Sequence, residues 1–357
     1  MKLATFRVQT SIGPFDRFGV VRLAGGPNDV ADSARRSDGW VIDANFAHAA
    51  MAADHGLNNP NARADALYPS DLSAYVSLHG TAHGALEDAL AWLDGQGGPL
   101  EQNDLKGPRG ERLIYRLNEV ELRPPVTRVP VLRDFAAFED HLKTTFGKMG
   151  LKIPPEWYER PTAFKGNPTT LIGHDGEVRW PRYTRKLDYE LELAAVIGRP
   201  GRDIDVEEAP GHILGYTLLN DFSARDTQKG EMAMSTGPYK AKDFAWGLGP
   251  WIVTPDELGD PTDLPMRVAV NGEVWAESTP GAMQWTFPEI ISYTSQDEPL
   301  NIGDVFGSGT VNKGCGFEID RWIAPGDVVE LEAARIGVLR HRICRAREHE
   351  VRWRRRR

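Results

Sequence analysis

The chain has 357 residues, of which 41% are hydrophobic and 26% charged, and its formal net charge is −9. This length predicts about two domains, and the negative charge argues against a surface that binds nucleic acid. No apolar run approaches the roughly 20 residues needed to cross a bilayer, and two cysteines are too few for a disulfide scaffold, so we expect a cytoplasmic protein that does not bind membranes.

Residues 1–122 are predicted to form a small α+β domain. Alternating or apolar runs predict strands at the N-terminus, at 15–23 and at 39–43. A short helix is predicted at 45–53. Helical spacing of apolar residues predicts a second helix at 81–94, which ends at a glycine-rich segment. A further strand at 120–126 would lead into a linker.

Residues 123–347 are predicted to form a strand-rich domain, followed by a basic, disordered tail at 348–357 that ends in four arginines. Asn271 and Gly272 stand between two β-type runs and predict a tight hairpin turn. A last strand is expected at 328–332, and helices at 135–146 and 288–293. The predicted fold class is mixed α+β, mainly β.

Two glutamates stand two positions apart in the stretch 187–198, which is predicted to be one strand entering a core. Side chains two apart on a strand share a face, so Glu190 and Glu192 point the same way. Their carboxylates repel, and burial raises that cost unless a cation lies between them. A hard divalent cation with oxygen ligands is one explanation. A solvated strand face with two exposed acids is the other.

A third acid, Asp221, follows a predicted buried strand at 216–219. Arg225 and Gln228 come four and seven residues later, and in a helix they would share a face with Asp221. The pattern favours a functional cluster at the end of a strand. An N-capped helix with an Asp–Arg ion pair is the alternative.

Asp134 directly precedes the predicted helix 135–146, and His141 lies seven residues later within it. If the helix extends to Asp134, the two share one face, with Asp134 near the N-cap. A structural or exposed histidine is the alternative. Downstream lie Lys242 and a glycine-rich segment at 307–318, whose backbone can approach a ligand closely.

In this order and spacing, the motifs resemble those of the fumarylacetoacetate hydrolase family, in its longer form with an N-terminal domain. The motifs are Glu-x-Glu at 190–192, Asn-Asp-Phe-Ser-Ala-Arg-Asp-Thr-Gln at 220–228, Lys-x-Phe at 242–244, and Gly-Ser-Gly-Thr-Val at 307–311 with a glutamate at 318. The likeness covers residues 126–345. It implies a mixed β-sandwich roll as the catalytic domain, and a homodimer.

The resemblance also implies a metal site built from four acids. They are Glu190, Glu192, Asp221 and Asp134. Mg²⁺ is the expected ion, with Ca²⁺ or Mn²⁺ as alternatives, because hard cations prefer carboxylate oxygens. Asp134 is assigned by its spacing from His141, and Glu139 or Asp140 could take its place.

His141 is implied to be the general base, oriented by Glu318. Three polar side chains would face the substrate and its developing oxyanion: Arg225, Gln228 and Lys242. Thr310 would contact a substrate carboxylate. Met232 stands where longer family members carry a tyrosine, which leaves the identity of the small-molecule substrate open.

These residues suit cleavage of a C–C bond in a diketo acid of fumarylacetoacetate or acylpyruvate type. Such a substrate presents two oxygens to one hard cation, and water activated by a histidine can attack a carbonyl. A general base typically contributes about 10²–10⁴-fold. Decarboxylation of a 2-oxo acid and hydration or isomerisation of a 2-oxo-alkenoate are alternatives on the same fold. A non-catalytic binding protein is a third interpretation.

Overall fold

The computed structural model of the chain describes residues 1–24, 38–80, 83–97, 100, 104–235 and 237–346, and the predicted basic tail lies outside them. The strands are β1 (Lys2–Thr10), β2 (Gly13–Leu23), β3 (Gly39–Asp43), β4 (Ile114–Arg116), β5 (Glu121–Leu122), β6 (Leu132–Phe135), β7 (Ala163–Gly166), β8 (Leu171–Ile172), β9 (Gly176–Arg179), β10 (Leu187–Asp188), β11 (Leu191–Ile197), β12 (Ile213–Asp221), β13 (Ser223–Ala224), β14 (Trp246–Val253), β15 (Met266–Val270), β16 (Glu273–Ser278), β17 (Val305–Gly307), β18 (Val328–Ala333) and β19 (Gly337–Cys344).

The helices lie between groups of strands. They are α1 (Ala44–Asp54), α2 (Pro60–Leu67), α3 (Leu72–His79), α4 (His83–Gly95), α5 (Glu139–Met149), α6 (Arg225–Ala233), α7 (Pro255–Leu258), α8 (Phe287–Ser295) and α9 (Gly316–Ile319). The mixed α+β, mainly β fold class is therefore confirmed. None of the helices described is long and apolar enough to cross a bilayer.

Several local predictions match the structure because strong turn and cap signals set them. The hairpin of β15 and β16 turns at Asn271 and Gly272, whose φ values of 52° and 81° are those of the tight turn that suits twisted strands.

The structure also contains two helices that were not predicted from the sequence, α2 and α3. Their signals were present, since Pro60 opens α2 and the Asp71 side chain accepts a hydrogen bond from Ala74 N at the start of α3.

One large sheet runs through both predicted domains. Its main order is β4-β3-β2-β1-β14-β12-β11-β17-β6-β7, with β5 on β1 and β8 on β14. The N-terminal strands join it through the antiparallel pair of β1 and β14, where Lys2 lies opposite Val253 and Leu3 opposite Ile252. The boundary near residue 122 stays a prediction about domains, but the sheet continues across it.

Removing residues 1–120 is expected to destabilise the remaining chain strongly. The deletion would strip β1 from β14 and uncover an apolar cluster that Leu3 and Phe18 share with Ile252 and Leu248. An unpaired apolar edge strand is also a site of aggregation. Size-exclusion chromatography and thermal unfolding test this. A monodisperse fragment with the unfolding temperature of the full chain would contradict it.

A second sheet, in the order β16-β15-β18-β19-β9, packs against the large sheet. His341 on β19 is fully buried there, edge-on to Phe222, with ring centroids 5.4 Å apart. Gly247 leaves room for it, because a Cβ at that position would lie 2.3 Å from His341 Cε1. Burial lowers the pKa of His341 to about 3. The imidazole is therefore neutral in the folded protein at physiological pH.

Replacing His341 by Leu is expected to flatten the dependence of stability on acid pH. In the unfolded chain the His341 imidazole binds a proton near pH 6.5, whereas in the folded chain it binds one only near pH 3. With respect to this group, the free energy of unfolding is therefore highest above pH 6.5. It decreases as the pH falls below that value, by about 2 kcal/mol at pH 5. Urea unfolding at pH 7.5 and pH 5 measures the difference. The same change at exposed His55 is the control, and an unaltered pH dependence in His341→Leu would refute the assignment.

Several predicted elements differ from the structure. The strand predicted at 120–126 is only β5, the strand predicted to be last at 328–332 is followed by β19, and two further differences affect the candidate site. The stretch 187–198 is interrupted, because β10 pairs with β13 whereas β11 pairs with β12, and Glu190 lies between the two strands. The predicted helix 135–146 begins only at Glu139, with Phe138 as its N-cap. Asp134 therefore is not near a helix N-cap. It lies in β6, because parallel pairing of β6 with β17 prevails over the helical spacing.

Candidate active site

Four buried acids converge at one end of the strands β12, β11 and β6. Carboxylate oxygens of Asp134, Glu190, Glu192 and Asp221 all lie within 4.8 Å of one another. Asp221 is the last residue of β12, Glu192 lies in β11, and Glu190 just precedes β11. The structure thus brings together all four residues proposed as metal ligands. Glu139, a rival for Asp134, instead pairs with Lys143 and Tyr158 on the surface.

Gly307 on β17 makes this convergence possible. It lies between Ala194 on β11 and Asp134 on β6. A Cβ at Gly307 would lie 2.8 Å from both Asp134 Oδ1 and Glu192 Oε2, which is too close for a real carbon atom. The glycine-rich segment 307–318 is predicted to approach a ligand closely. The structure adds that the missing side chain lets two carboxylates meet across a strand.

The pKa values of Glu190 and Glu192 are shifted in opposite directions. Burial raises the pKa of Glu192 well above its ordinary value, and the nearby Asp134 and Asp221 raise it further. Burial acts to raise the pKa of Glu190 as well, but adjacent Arg225 and Lys242 outweigh it and lower this pKa well below the ordinary value. Glu190 is therefore held as a carboxylate, whereas Glu192 lacks a compensating charge.

Two cationic side chains lie against the acids. Lys242 is buried and forms ion pairs with Glu190 and Asp221. Arg225, the first residue of α6, donates from Nη2 to Glu190 Oε1 over 2.7 Å, and its Nη1 donates to Gln228 Oε1 over 3.2 Å. Of the three side chains predicted to face the substrate, Lys242 and Arg225 thus border the acid cluster, and Gln228 contacts Arg225. Their contact with a substrate remains a prediction.

Asp188 is a functional candidate that the sequence analysis missed. It is fully buried and accepts hydrogen bonds from Arg225 Nε and from the backbone N–H groups of Gly316 and Phe317, each over 2.9 Å. One carboxylate thus orients both the guanidinium and the turn that leads to Glu318. Its position two residues before Glu190 was the only available signal.

His141 and Glu318 form a pair beside the acid cluster. His141 Nδ1 on α5 lies 2.9 Å from Glu318 Oε2 on α9. The other carboxylate oxygen of Glu318 accepts from Lys313 N over 3.1 Å, so its orientation is set by the backbone. An isolated β-bridge between Glu190 and Cys315 connects the segment from Lys313 to Glu318 to the acids. The arrangement suits a histidine base oriented by a carboxylate.

Thr310, predicted to contact a substrate carboxylate, contacts the acid cluster in this structure. Its Oγ1 donates to Glu192 Oε1 over 3.5 Å, and the preceding Gly309 N donates to Asp134 Oδ1 over 3.2 Å. The glycine-rich turn therefore supports two acids of the cluster.

The residues present fit a hard divalent cation. Within the described residues, four carboxylates face two cationic side chains, so the fully ionised cluster is short of positive charge. Glu192 Oε2 and Asp221 Oδ1 are buried and have no hydrogen-bond partner among the residues described. Buried carboxylate oxygens without donors are what a cation with oxygen ligands would satisfy.

Comparison with known proteins agrees with this arrangement. A family model described as the C-terminal domain of fumarylacetoacetate hydrolase matches residues 130–344. The chain belongs to the fumarylacetoacetate hydrolase family. This confirms the resemblance found in the sequence, and it identifies the chain as a member of a family of enzymes.

Curated members of the fumarylacetoacetate hydrolase family differ in their reactions. An oxaloacetate tautomerase of Bacillus subtilis is 32% identical over 234 residues, which are 64% of this chain and 75% of that protein. A 2,4-didehydro-3-deoxy-L-rhamnonate hydrolase of a Sphingomonas species is 34% identical over 209 residues, 58% of this chain and 70% of that protein. Membership alone therefore does not assign the reaction.

Solved structures share the fold over almost the whole chain. Fumarylacetoacetate hydrolase from Exiguobacterium antarcticum has a TM-score of 0.64 at 22% identity, covering 97% of this chain and 100% of that one. Maleylpyruvate hydrolase from a Sphingobium species, solved with manganese(II) and pyruvate, has a TM-score of 0.63 at 21% identity with the same coverage. The common fold includes the N-terminal region.

Proposed function

We propose that this protein is a metal-dependent hydrolase that cleaves a C–C bond of a diketo acid of the fumarylacetoacetate or acylpyruvate type. The observation that carries the proposal is the pairing of His141 with Glu318, 2.9 Å apart, directly beside four converging carboxylates. A site for a cation and a positioned base are the two requirements for adding water to a chelated dicarbonyl.

The acids Asp134, Glu190, Glu192 and Asp221 would hold the cation, for which Mg²⁺ is the first candidate. When bound, this ion would hold two oxygens of the substrate and offset the negative charge that develops on them. Lys242 and Arg225 lie against the same acids, so their positive charges would help to orient the anionic substrate.

His141 would act as the base through Nε2, because its Nδ1 lies 2.9 Å from Glu318 Oε2. The imidazole takes a proton from water while the water oxygen bonds to the carbonyl carbon. The Glu318 carboxylate stabilises the resulting imidazolium. The C–C bond then breaks, its electron pair remains on the departing fragment, and that fragment is protonated to give the second product.

Keto–enol tautomerisation of a 2-oxo acid is the second candidate. It is favoured by the identity of 32% with an oxaloacetate tautomerase. This reaction also needs a base that accepts a proton, a role that His141 would fill, but it needs no attack by water. Decarboxylation of a 2-oxo acid and hydration or isomerisation of a 2-oxo-alkenoate are the other reactions that the family resemblance implies for this site.

The protein with Mg²⁺ or Mn²⁺ should be offered a series of acylpyruvates and freshly dissolved enol oxaloacetate. Hydrolysis predicts loss of the diketone absorbance with equal amounts of pyruvate and a second carboxylic acid in the NMR spectrum. Faster loss of the enol without cleavage of any acylpyruvate would favour the tautomerase. A metal-bound protein that turns over neither substrate would contradict both. Light scattering tests the homodimer that the family resemblance implies.

A further inference from the structure

Three different kinds of metal ligand meet at the proposed catalytic pair. Ligand atoms of His141, Cys315 and Glu318 lie within 4.8 Å of one another. Glu318 Oε2 is 2.9 Å from His141 Nδ1 and 3.4 Å from Cys315 Sγ. Imidazole, thiolate and carboxylate together suit a borderline or soft ion, whereas the neighbouring four acids offer oxygen alone.

We propose that His141, Cys315 and Glu318 form a second metal site, which takes a Zn²⁺- or Cd²⁺-type ion and leaves one coordination position for water. Bonds of about 2.0–2.3 Å to a tetrahedral ion place its ligand atoms roughly 3.3–3.8 Å apart. The separation of Glu318 Oε2 from Cys315 Sγ already lies in this range. Small side-chain movements would complete the site.

Two of the three ligands are shielded from solvent, Cys315 and Glu318. Cys315 is fully buried, and its Sγ lies 3.4 Å from Glu318 Oε2. A bound ion would displace the thiol proton to solvent and form an S–metal bond. His141 Nδ1 is also buried and makes no aligned hydrogen bond within the described residues.

Occupation of this site would inhibit the enzyme. An ion that engages His141 would prevent the imidazole from taking a proton from water. This consequence rests on the proposed function, but the site itself does not, because it follows from the three ligands. A soft-metal inhibitor would thus act beside the hard cation without displacing it.

Cd²⁺ titration of the whole protein in excess Mg²⁺ tests the site, since a Cd²⁺–thiolate bond has an ultraviolet charge-transfer band. One equivalent of Cd²⁺ is expected to produce this band in the wild type. Cys315→Ser should abolish the band and lower Cd²⁺ affinity at least about 100-fold, since even partners outside the ligand set are worth roughly 10–100-fold. His141→Asn should weaken affinity similarly while keeping part of the band.

Cys344→Ser is the matched control, because Cys344 is the other cysteine and lies in β19, away from the pair. It should leave both the band and turnover as in the wild type. Circular dichroism and Mg²⁺ binding establish that each variant is folded. No band in the wild type, or a band that survives Cys315→Ser, would overturn the proposal. The band requires no substrate, so a wrong proposed function would not affect this result.

Discussion

Replacing Glu192 by Gln is expected to abolish the stabilisation of this protein by Mg²⁺ or Mn²⁺ without destabilising the metal-free form. Glu192 lies fully buried among Asp134 and Asp221, and its pKa is raised well above the ordinary value by burial and by these acids. A neutral amide relieves that repulsion, but it removes a ligand. At 100 times its dissociation constant, a bound ion stabilises by about 2.7 kcal/mol, and the variant should lose this gain.

Glu190→Gln is the matched comparison, because it removes the same charge two residues away. Glu190 pairs with buried Lys242 and with Arg225, whose side chain is 10% exposed. Breaking a buried ion pair from one side costs on the order of 3 kcal/mol. Glu190→Gln should therefore lose the metal response and also destabilise the metal-free protein.

Thermal unfolding of the wild type and both variants, with and without metal, measures these differences. Calorimetric titration gives the affinities separately. Retention of the full metal shift in Glu192→Gln would show that the ion binds elsewhere. Equal metal-free stability of the two variants would contradict the assigned difference between the two glutamates.

His141→Asn is expected to have the largest kinetic effect, a fall in kcat of about 10²–10⁴-fold if hydrolysis is the reaction. Asparagine keeps a polar group on α5 but cannot accept a proton from water. Metal binding should be unchanged, because His141 is not one of the four acids. Glu318→Gln should lower kcat less, since it removes the charge that stabilises the imidazolium but leaves the base in place.

Asp140→Asn provides the control on the same helix, where Asp140 is exposed beside His141. Its kcat and metal affinity should equal those of the wild type, which also tests Asp140 as a rival ligand to Asp134. Steady-state kinetics on the acylpyruvate that is turned over fastest is the measurement. Full activity of His141→Asn would exclude a histidine base and favour a reaction without water attack.

Local signals in the sequence predicted local structure well. Asn271 and Gly272 adopt the positive φ values that their hairpin turn requires, and α1 lies where apolar spacing placed it. Asp134 shows the limit of such signals. Its spacing from His141 is helical, but pairing with β17, more than 160 residues away, places it in a strand.

What the sequence by itself determined was the inventory: four acids, a histidine, two cations and a glycine-rich turn, in an order typical of one enzyme family. The tertiary structure decided which of them meet. Convergence of Asp134 and Glu192 depends on the register of β11, β17 and β6 and on the missing side chain of Gly307. The opposite pKa shifts of Glu190 and Glu192 depend on where Lys242 and Arg225 lie. Strand register and burial are set by contacts between distant segments, so no local pattern specifies them.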